Sequence, residues 1–317
     1  MSLDVVGFGS LCVDFTFKVS KFPRRGSTNL SYASRIGCGG IIGNFLVACS
    51  KLGLKCGVLG IVGGDCYGGM VIDCLSKSGV DLSKLAVSGR GSTARVLCIV
   101  DEEGERTFIV DPGVQAHVQL PDGADEYVSS CRVFHTDCLS FDLSIRLLKR
   151  AKSSGVCTSV DLSALAEHFI NPSPPSLQDV LENCDIGFTS MLNAKKLFPG
   201  LKPREVIDEM LGRGLRVAVL TLGGRGCMVG DKEGVHVVKP FKVDVVDTTG
   251  AGDAFEAGFI YSWLKGLSPR ECALIGSAVA AMKCRQLGAQ AGLPTLEELK
   301  EFLADSGLKP LAEFLTQ

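Results

Sequence analysis

Residues 246–259, VDTTGAGDAFEAGF, set small residues and carboxylates directly ahead of an apolar ladder. Thr248-Thr249-Gly250-Ala251-Gly252 is slender enough for backbone N–H groups to face outward together, after an apolar run, Val243 to Val246, that reads as a strand tail. From Asp253 onward, Ala254, Phe255, Gly258, Phe259, Ser262 and Trp263 recur at helical spacing, so Asp253 falls in the first turn of a helix. Free N–H groups and the positive end of the dipole make an anion site there, with a carboxylate beside it. Phosphoryl transfer needs that pairing, because its catalysis is mostly positioning and charge stabilisation, with a base for the acceptor hydroxyl. As a plain helix N-terminal acid, Asp253 would contribute about 0.3 to 1 kcal/mol. The adjacent glycines cost conformational entropy that a cap alone does not justify.

A second glycine site, IGCGGIIGNFLVACSKLG, opens a helix after Gly39-Gly40 and puts Asn44 one turn in, with an amide that offers donor and acceptor to hydroxyls. Tight helix-on-strand packing is the other reading of those glycines. A third stretch, TLGGRGCMV from Thr221 to Val229, ends a strand in a glycine-rich bend. No GxxxxGK[ST] or GxSxG occurs, and Gly7 and Gly9 lack the third glycine of a dinucleotide fingerprint, which leaves a nicotinamide dehydrogenase as a distant reading.

The elements that must carry these sites follow from periodicity. Short apolar runs start at Val5, Cys56, Arg132, Val156, Asp185 and Arg216, the pattern of strands covered on both faces. Amphipathic stretches at Ile42 to Leu52, Gly69 to Lys77, Leu143 to Ser153, Pro203 to Leu211 and Arg270 to Leu287 alternate with them. That order predicts an α/β fold with a mostly parallel, doubly wound sheet. Two segments, about 14–36 and 92–111, alternate with period 2 instead and predict a small antiparallel sheet serving as a lid, an oligomer interface or an edge extension. Arg95 and Arg106 on the second segment read as solvated charges paired with Asp101, Glu103 or Glu105, or else as contacts to an anionic acceptor. No internal repeat or linker divides the 317 residues, so one domain is expected over 1–317.

Composition excludes several classes of function. A formal net charge of -2 gives no basic surface for nucleic acid or anionic membrane. The N-terminal stretch has no signal-peptide pattern and no apolar run is long enough to span a bilayer, so a soluble cytoplasmic protein with a small-molecule ligand is expected. The fourteen cysteines have no CxxC spacing, and most lie in apolar segments as reduced, buried thiols do. His117, His135, His168 and His236 show no zinc-ligand spacing and read as packing or surface residues.

Taken together, VVGFGSLCVDF, GGIIGNFLVACSKLG, TLGGRG and DTTGAGDAFEAGF resemble the ribokinase-like, or pfkB-type, carbohydrate and nucleoside kinases over nearly the whole chain. The resemblance implies a three-layer α/β sandwich with a β-sheet lid, and transfer of the ATP γ-phosphate to a hydroxymethyl group of a sugar or sugar-like molecule, with magnesium. It implies Asp253 as base and Gly250, Ala251 and Gly252 as anion hole. Asp14, Gly39, Gly40 and Asn44 would bind the sugar, and Ser190, Thr221, Gly223 and Gly226 would border the nucleotide. Asp247 and Thr249 would hold a potassium ion, and the exposed lid sheet would serve a homodimer.

Two departures stand out. The family commonly has Asn-x-x-Glu where this chain has Ser190 and Asn193, which removes a carboxylate from the magnesium network. At Asp161, VDLSALA replaces the Asp-Pro-Asn and following Arg of several sugar-kinase subfamilies. A nucleoside kinase of the same fold, with Phe15, Phe17 and Phe22 stacking a base, and a non-catalytic ligand-sensing relative are the alternatives.

Overall fold

Residues 3–167 and 176–315 are described by a computed structural model. His168 lies outside the described residues. In chain order the strands are β1 (Val5–Phe8), β2 (Cys12–Val19), β3 (Ser31–Gly39), β4 (Cys56–Gly63), β5 (Asp81–Ser88), β6 (Ala94–Val100), β7 (Arg106–Asp111), β8 (Val133–Thr136), β9 (Cys157–Asp161), β10 (Ile186–Ser190), β11 (Val217–Thr221), β12 (Cys227–Asp231) and β13 (Gly234–Val238). The helices are α1 (Ile41–Lys51), α2 (Cys66–Lys77), α3 (Ala124–Ser129), α4 (Phe141–Ser153), α5 (Ser163–Glu167), α6 (Leu177–Leu181), α7 (Met191–Leu197), α8 (Pro203–Gly212), α9 (Ala251–Leu264), α10 (Pro269–Lys283), α11 (Leu296–Asp305) and α12 (Lys309–Phe314).

Nine strands form the main sheet in the order β13-β12-β11-β10-β9-β8-β1-β4-β5. From β11 through β5 every pairing is parallel, and the hairpin β12–β13 closes the other edge antiparallel. The central strands β1 and β8 are buried along their whole length, which is why they read as continuous apolar runs. Two apolar cores lie on the two faces of this sheet, one around Phe45, Leu46, Phe259 and Ile275, the other around Phe134, Leu147, Ile207 and Met210. The architecture is the α/β sandwich expected from alternating strands and helices.

The second sheet has the order β3-β2-β6-β7. Its two hairpins pair antiparallel, while β2 and β6 meet in parallel at the seam. Thr93 fixes the entry to β6, with its hydroxyl on Asp65 at 2.6 Å and its N–H on the same carboxylate at 2.9 Å.

Two expectations change. Val243 to Val246 forms no strand, and Val245 and Val246 face solvent, because the sheet has already closed at β13. α10 begins at a Ser268–Glu271 capping box with Pro269 in its first turn, and stops at Lys283, four residues short of the expected end at Leu287.

Candidate active site

α9 is buried on nearly every side, as the apolar run from Ala254 to Ile260 requires. Its N-cap is Gly250, left-handed at φ 77°, where an added Cβ would press on the carbonyl oxygen of Ala289 at 2.7 Å. The Ala251 N–H turns to the Thr248 carbonyl at 3.2 Å. Regular i to i−4 bonding starts at Ala254, whose N–H meets the Gly250 carbonyl at 3.0 Å, so the amides of Gly252 and Asp253 keep the orphan position of a helix start. A Cβ at Gly252 would meet nothing within 4 Å, so open space lies beside those amides.

Asp253 is 8% exposed and makes no ion pair among the described residues. Its Oδ2 accepts from Asn44 Nδ2 at 2.7 Å, and Asn44 Oδ1 accepts from Gln290 Nε2 at 2.9 Å. Burial pushes the Asp253 carboxyl up to about 7, assisted by Asp161, Asp14 and Asp137 and opposed by the Asn44 bond. A carboxyl poised there takes up and releases a proton near neutrality.

Gln290 also lines a small cleft together with Asp14, Thr16, Arg35, Gly37, Cys38, Gly288 and Ala289. Asp14 and Thr16 share one face of β2, and the strand pairs Asp14 with Gly37 and Cys12 with Gly39. A Cβ on Gly39 would sit 2.1 Å from Asp14 Oδ2, so only glycine admits the carboxylate. Burial, against a thiol bond from Cys12, raises Asp14 to about 6. Gly40 caps α1 and delivers Asn44 to the site. Arg35 closes the cleft by donating to the Leu287 carbonyl.

Ser190 and Thr221 are register partners at the carboxyl ends of the adjacent strands β10 and β11. Gly223 and Gly226 bound the short turn that follows, where the Gly226 N–H meets the Gly223 carbonyl at 3.0 Å. A ligand between these strand ends would lie at the edge where open α/β sheets bind substrates. Ser190 caps α7, accepting from the Asn193 N–H at 3.2 Å, and Asn193 Nδ2 donates to Ser163 Oγ at 2.8 Å. Asp161, at the end of β9, accepts from the Ser163 N–H at 2.8 Å, and burial lifts it to about 6.

Asp247 is the most densely bonded carboxylate of the loop. Its Oδ1 accepts from Thr249 N–H at 2.9 Å and Thr249 Oγ1 at 2.8 Å, and its Oδ2 from Gly288 N–H at 2.7 Å. Its backbone carbonyl accepts from Lys283 Nζ at 2.8 Å.

The lid arginines divide. Arg95 pairs with Asp111 across β6 and β7, whereas Arg106 reaches past its acidic neighbours to the hydroxyl of Thr248, beside the turn that caps α9. Motif reading missed Asp137 and Glu256, while His135 is the packing residue its lack of ligand spacing predicts. Asp137 Oδ2 accepts from Ser10 N–H at 2.8 Å, and Ser10 Oγ accepts from Ile41 N–H at 2.9 Å, which ties β8 to the start of α1. Its place just after a central parallel strand was the available signal. His135 stacks on Phe45 with centroids 4.0 Å apart, and its Nε2 lies 3.2 Å from Glu256 Oε2, off the line of a hydrogen bond. Burial drives the imidazole down to about 3 and the Glu256 carboxyl well above the ordinary range, so the two face each other uncharged. All fourteen cysteines are free thiols. No helix of the described residues is long and apolar enough to cross a membrane.

The chain is similar to known proteins over nearly its full length. Residues 2–296 match the family described as pfkB family carbohydrate kinase. An uncharacterized sugar kinase of Archaeoglobus fulgidus is 31% identical over 258 residues, 77% of this chain and 97% of the relative. A ribokinase of Haemophilus influenzae is 27% identical over 311 residues, covering 93% and 96%. The crystal structure of a ribokinase from Thermotoga maritima superposes with a TM-score of 0.83 at 26% identity, covering 95% of this chain and 99% of that one. A buried near-neutral carboxyl at a glycine-capped helix start, on this sheet and under this lid, thus accompanies relatives named as kinases, and the chain belongs to the pfkB family of carbohydrate kinases.

Proposed function

We propose that the protein transfers the γ-phosphoryl group of ATP to a hydroxymethyl group of a small sugar or sugar-like acceptor, with Asp253 as the base. The observation that carries this reading is the Asp253 carboxyl, buried, held near neutrality and bonded to Asn44 beside the unspent amides of α9. Asp14, Thr16 and Gln290 give the acceptor cleft the hydrogen-bonding character that several hydroxyls require.

Asp253 takes the hydroxyl proton as the acceptor oxygen bonds to the γ-phosphorus, and the bond from that phosphorus to the bridging oxygen breaks to release ADP. The amides of Gly250 and Gly252, the dipole of α9 and the Arg106 guanidinium near Thr248 hold the charge on the transferring oxygens, while the Ala251 N–H, expected to join them, is spent on the Thr248 carbonyl. Ser190, Thr221, Gly223 and Gly226 border the nucleotide.

Among the described residues no three His, Cys, Asp or Glu side chains converge to cage a metal. That donor set fits magnesium carried on the nucleotide phosphates and touched through water, with Asp161 and Asn193, linked through Ser163, as the residues that would hold it. When bound, magnesium offsets phosphate charge and aligns the β- and γ-groups.

A nucleoside acceptor is the second reading. Phe15 and Phe17 lie on the face of β2 opposite Asp14 and Thr16, Phe15 packs edge-on against Tyr67 at 5.4 Å, and Phe22 is not among the residues lining the cleft, so none of the three faces it. The sugar reading is preferred on that ground. The lid also exposes Leu30, Tyr32, Ile36, Phe108 and Ile109, Leu30 at 88% and Ile109 at 64%, which fits a second copy docking lid to lid. Sedimentation of the protein and of Ile109→Lys checks that assembly; a monomer in both would remove it.

An ATP-coupled screen over pentoses, hexoses, keto-deoxy sugar acids and nucleosides, with magnesium varied, tests the main reading. Phosphorylation of a sugar by the protein and its loss in Asp253→Asn supports it, and ligand binding without ADP release under any metal would identify a sensor instead.

A further inference from the structure

Lys283, the last residue of α10, is 0% exposed. Lysine is almost never fully buried without a partner, since removing an ammonium from water costs several kcal/mol. The partner here is the backbone carbonyl of Asp247, 2.8 Å from Nζ, in the loop six residues before Asp253. Asp247 is, with Thr249, one of the two residues to which the sequence resemblance assigns a potassium ion.

The potassium ion does not fit the residues present. The Asp247 carboxylate is spent on Thr249 N–H, Thr249 Oγ1 and Gly288 N–H, at 2.9, 2.8 and 2.7 Å, and the carbonyl is spent on the ammonium. The surrounding chain is laced shut. The N–H groups of Val246 and Asp247 both donate to the Cys284 carbonyl, at 2.8 and 3.2 Å, and a Cβ on Gly292 would lie 2.5 Å from the Lys283 carbonyl. An ammonium is a compact point charge with three donors and does in such a place what a monovalent cation does: it bonds backbone oxygen and projects unit charge.

We propose that Lys283 is a built-in monovalent cation beneath the anion turn, which makes this kinase independent of potassium. Its covalent tether removes the entropy of capturing an ion, and its charge adds to the dipole of α9 on the side where phosphate oxygens gather. Lys283 is therefore a positioning residue: it holds the Asp247–Gly250 turn and, through it, the amides that start α9. Burial lowers its pKa, while attraction to Asp247 opposes that loss of charge.

The test compares wild type with Lys283→Met, in potassium chloride against choline chloride at equal ionic strength. Thermal melting and binding of an ATP analogue are read first, because neither needs an acceptor and both stand even if the kinase reading fails. Turnover with ATP and whichever acceptor the screen identifies is read third. Wild type is expected to respond alike to both salts in all three measurements. Lys283→Met is expected to lose about tenfold in nucleotide affinity or turnover in choline, and to recover most of it, with a higher melting temperature, in potassium. A potassium-specific gain in wild type would overturn the proposal, as would a variant that matches wild type in both salts. Should Lys283→Met not fold in choline, its recovery by potassium and not by lithium supports the proposal, and equal failure in all salts refutes it.

Discussion

Asn44 Nδ2 lies 2.7 Å from Asp253 Oδ2, a hydrogen bond that joins residues 209 positions apart. The bond opposes the burial that lifts the carboxyl, so Asp253 rests at about 7 rather than higher. Replacing Asp253 by Asn keeps the shape and removes the proposed base. Turnover should fall by about 10² to 10⁴ while binding of an ATP analogue persists, as measured by steady-state kinetics and equilibrium titration.

Asn44→Leu removes the donor that favours the ionised carboxylate. The pKa of Asp253 should then rise above about 7, and the acid limb of the kcat/KM profile should move to higher pH. A profile unmoved by the substitution would detach Asn44 from the titration.

Gly252→Ala separates folding from function. The added methyl meets nothing within 4 Å, and alanine in a helix is favoured over glycine by about 0.5 to 1 kcal/mol, so the melting temperature should rise. The same methyl enters the space beside the anion-binding amides, so KM for ATP should rise as well. A variant that is more stable and equally active would move the phosphate site elsewhere.

Stability should fall as pH rises from about 5 to about 8. Asp14 and Asp161 at about 6 and Asp253 at about 7 hold protons in the fold that an unfolded chain has released above about 4, and Asp137 and Glu256 are raised in the same direction. Their stabilisation is full below the unfolded pKa and is lost as pH climbs through the folded one. His135, depressed to about 3, acts oppositely below about 6.5, but it is one group against five carboxyls. Urea melts across this range check the slope, and Asp161→Asn should flatten it.

The strands of the main sheet were legible because burial on both faces leaves long apolar runs, and the start of α9 because its logic is local: cap, glycine, acid, apolar ladder. The edge strand β5 was not, since DLSKLAVS is only partly buried and its polar residues hide the period. Val243 to Val246 misled for the reverse reason: an apolar run is a strand only where a neighbour remains to pair with it. Glu256 and Lys283 carry no local signature, and Asp137 only its place after a central strand. Asp137 meets Ser10 across 127 residues and Lys283 meets Asp247 across 36, so only the fold makes them neighbours.

No loop separates β3 from α1: Gly39 ends the strand, Gly40 alone intervenes, and Ile41 starts the helix. The second sheet is therefore joined to the helix that bears Asn44 through a single residue of φ 89°. Any displacement of the second sheet would therefore be passed on to the Asn44 amide, and through its bond to the Asp253 carboxyl.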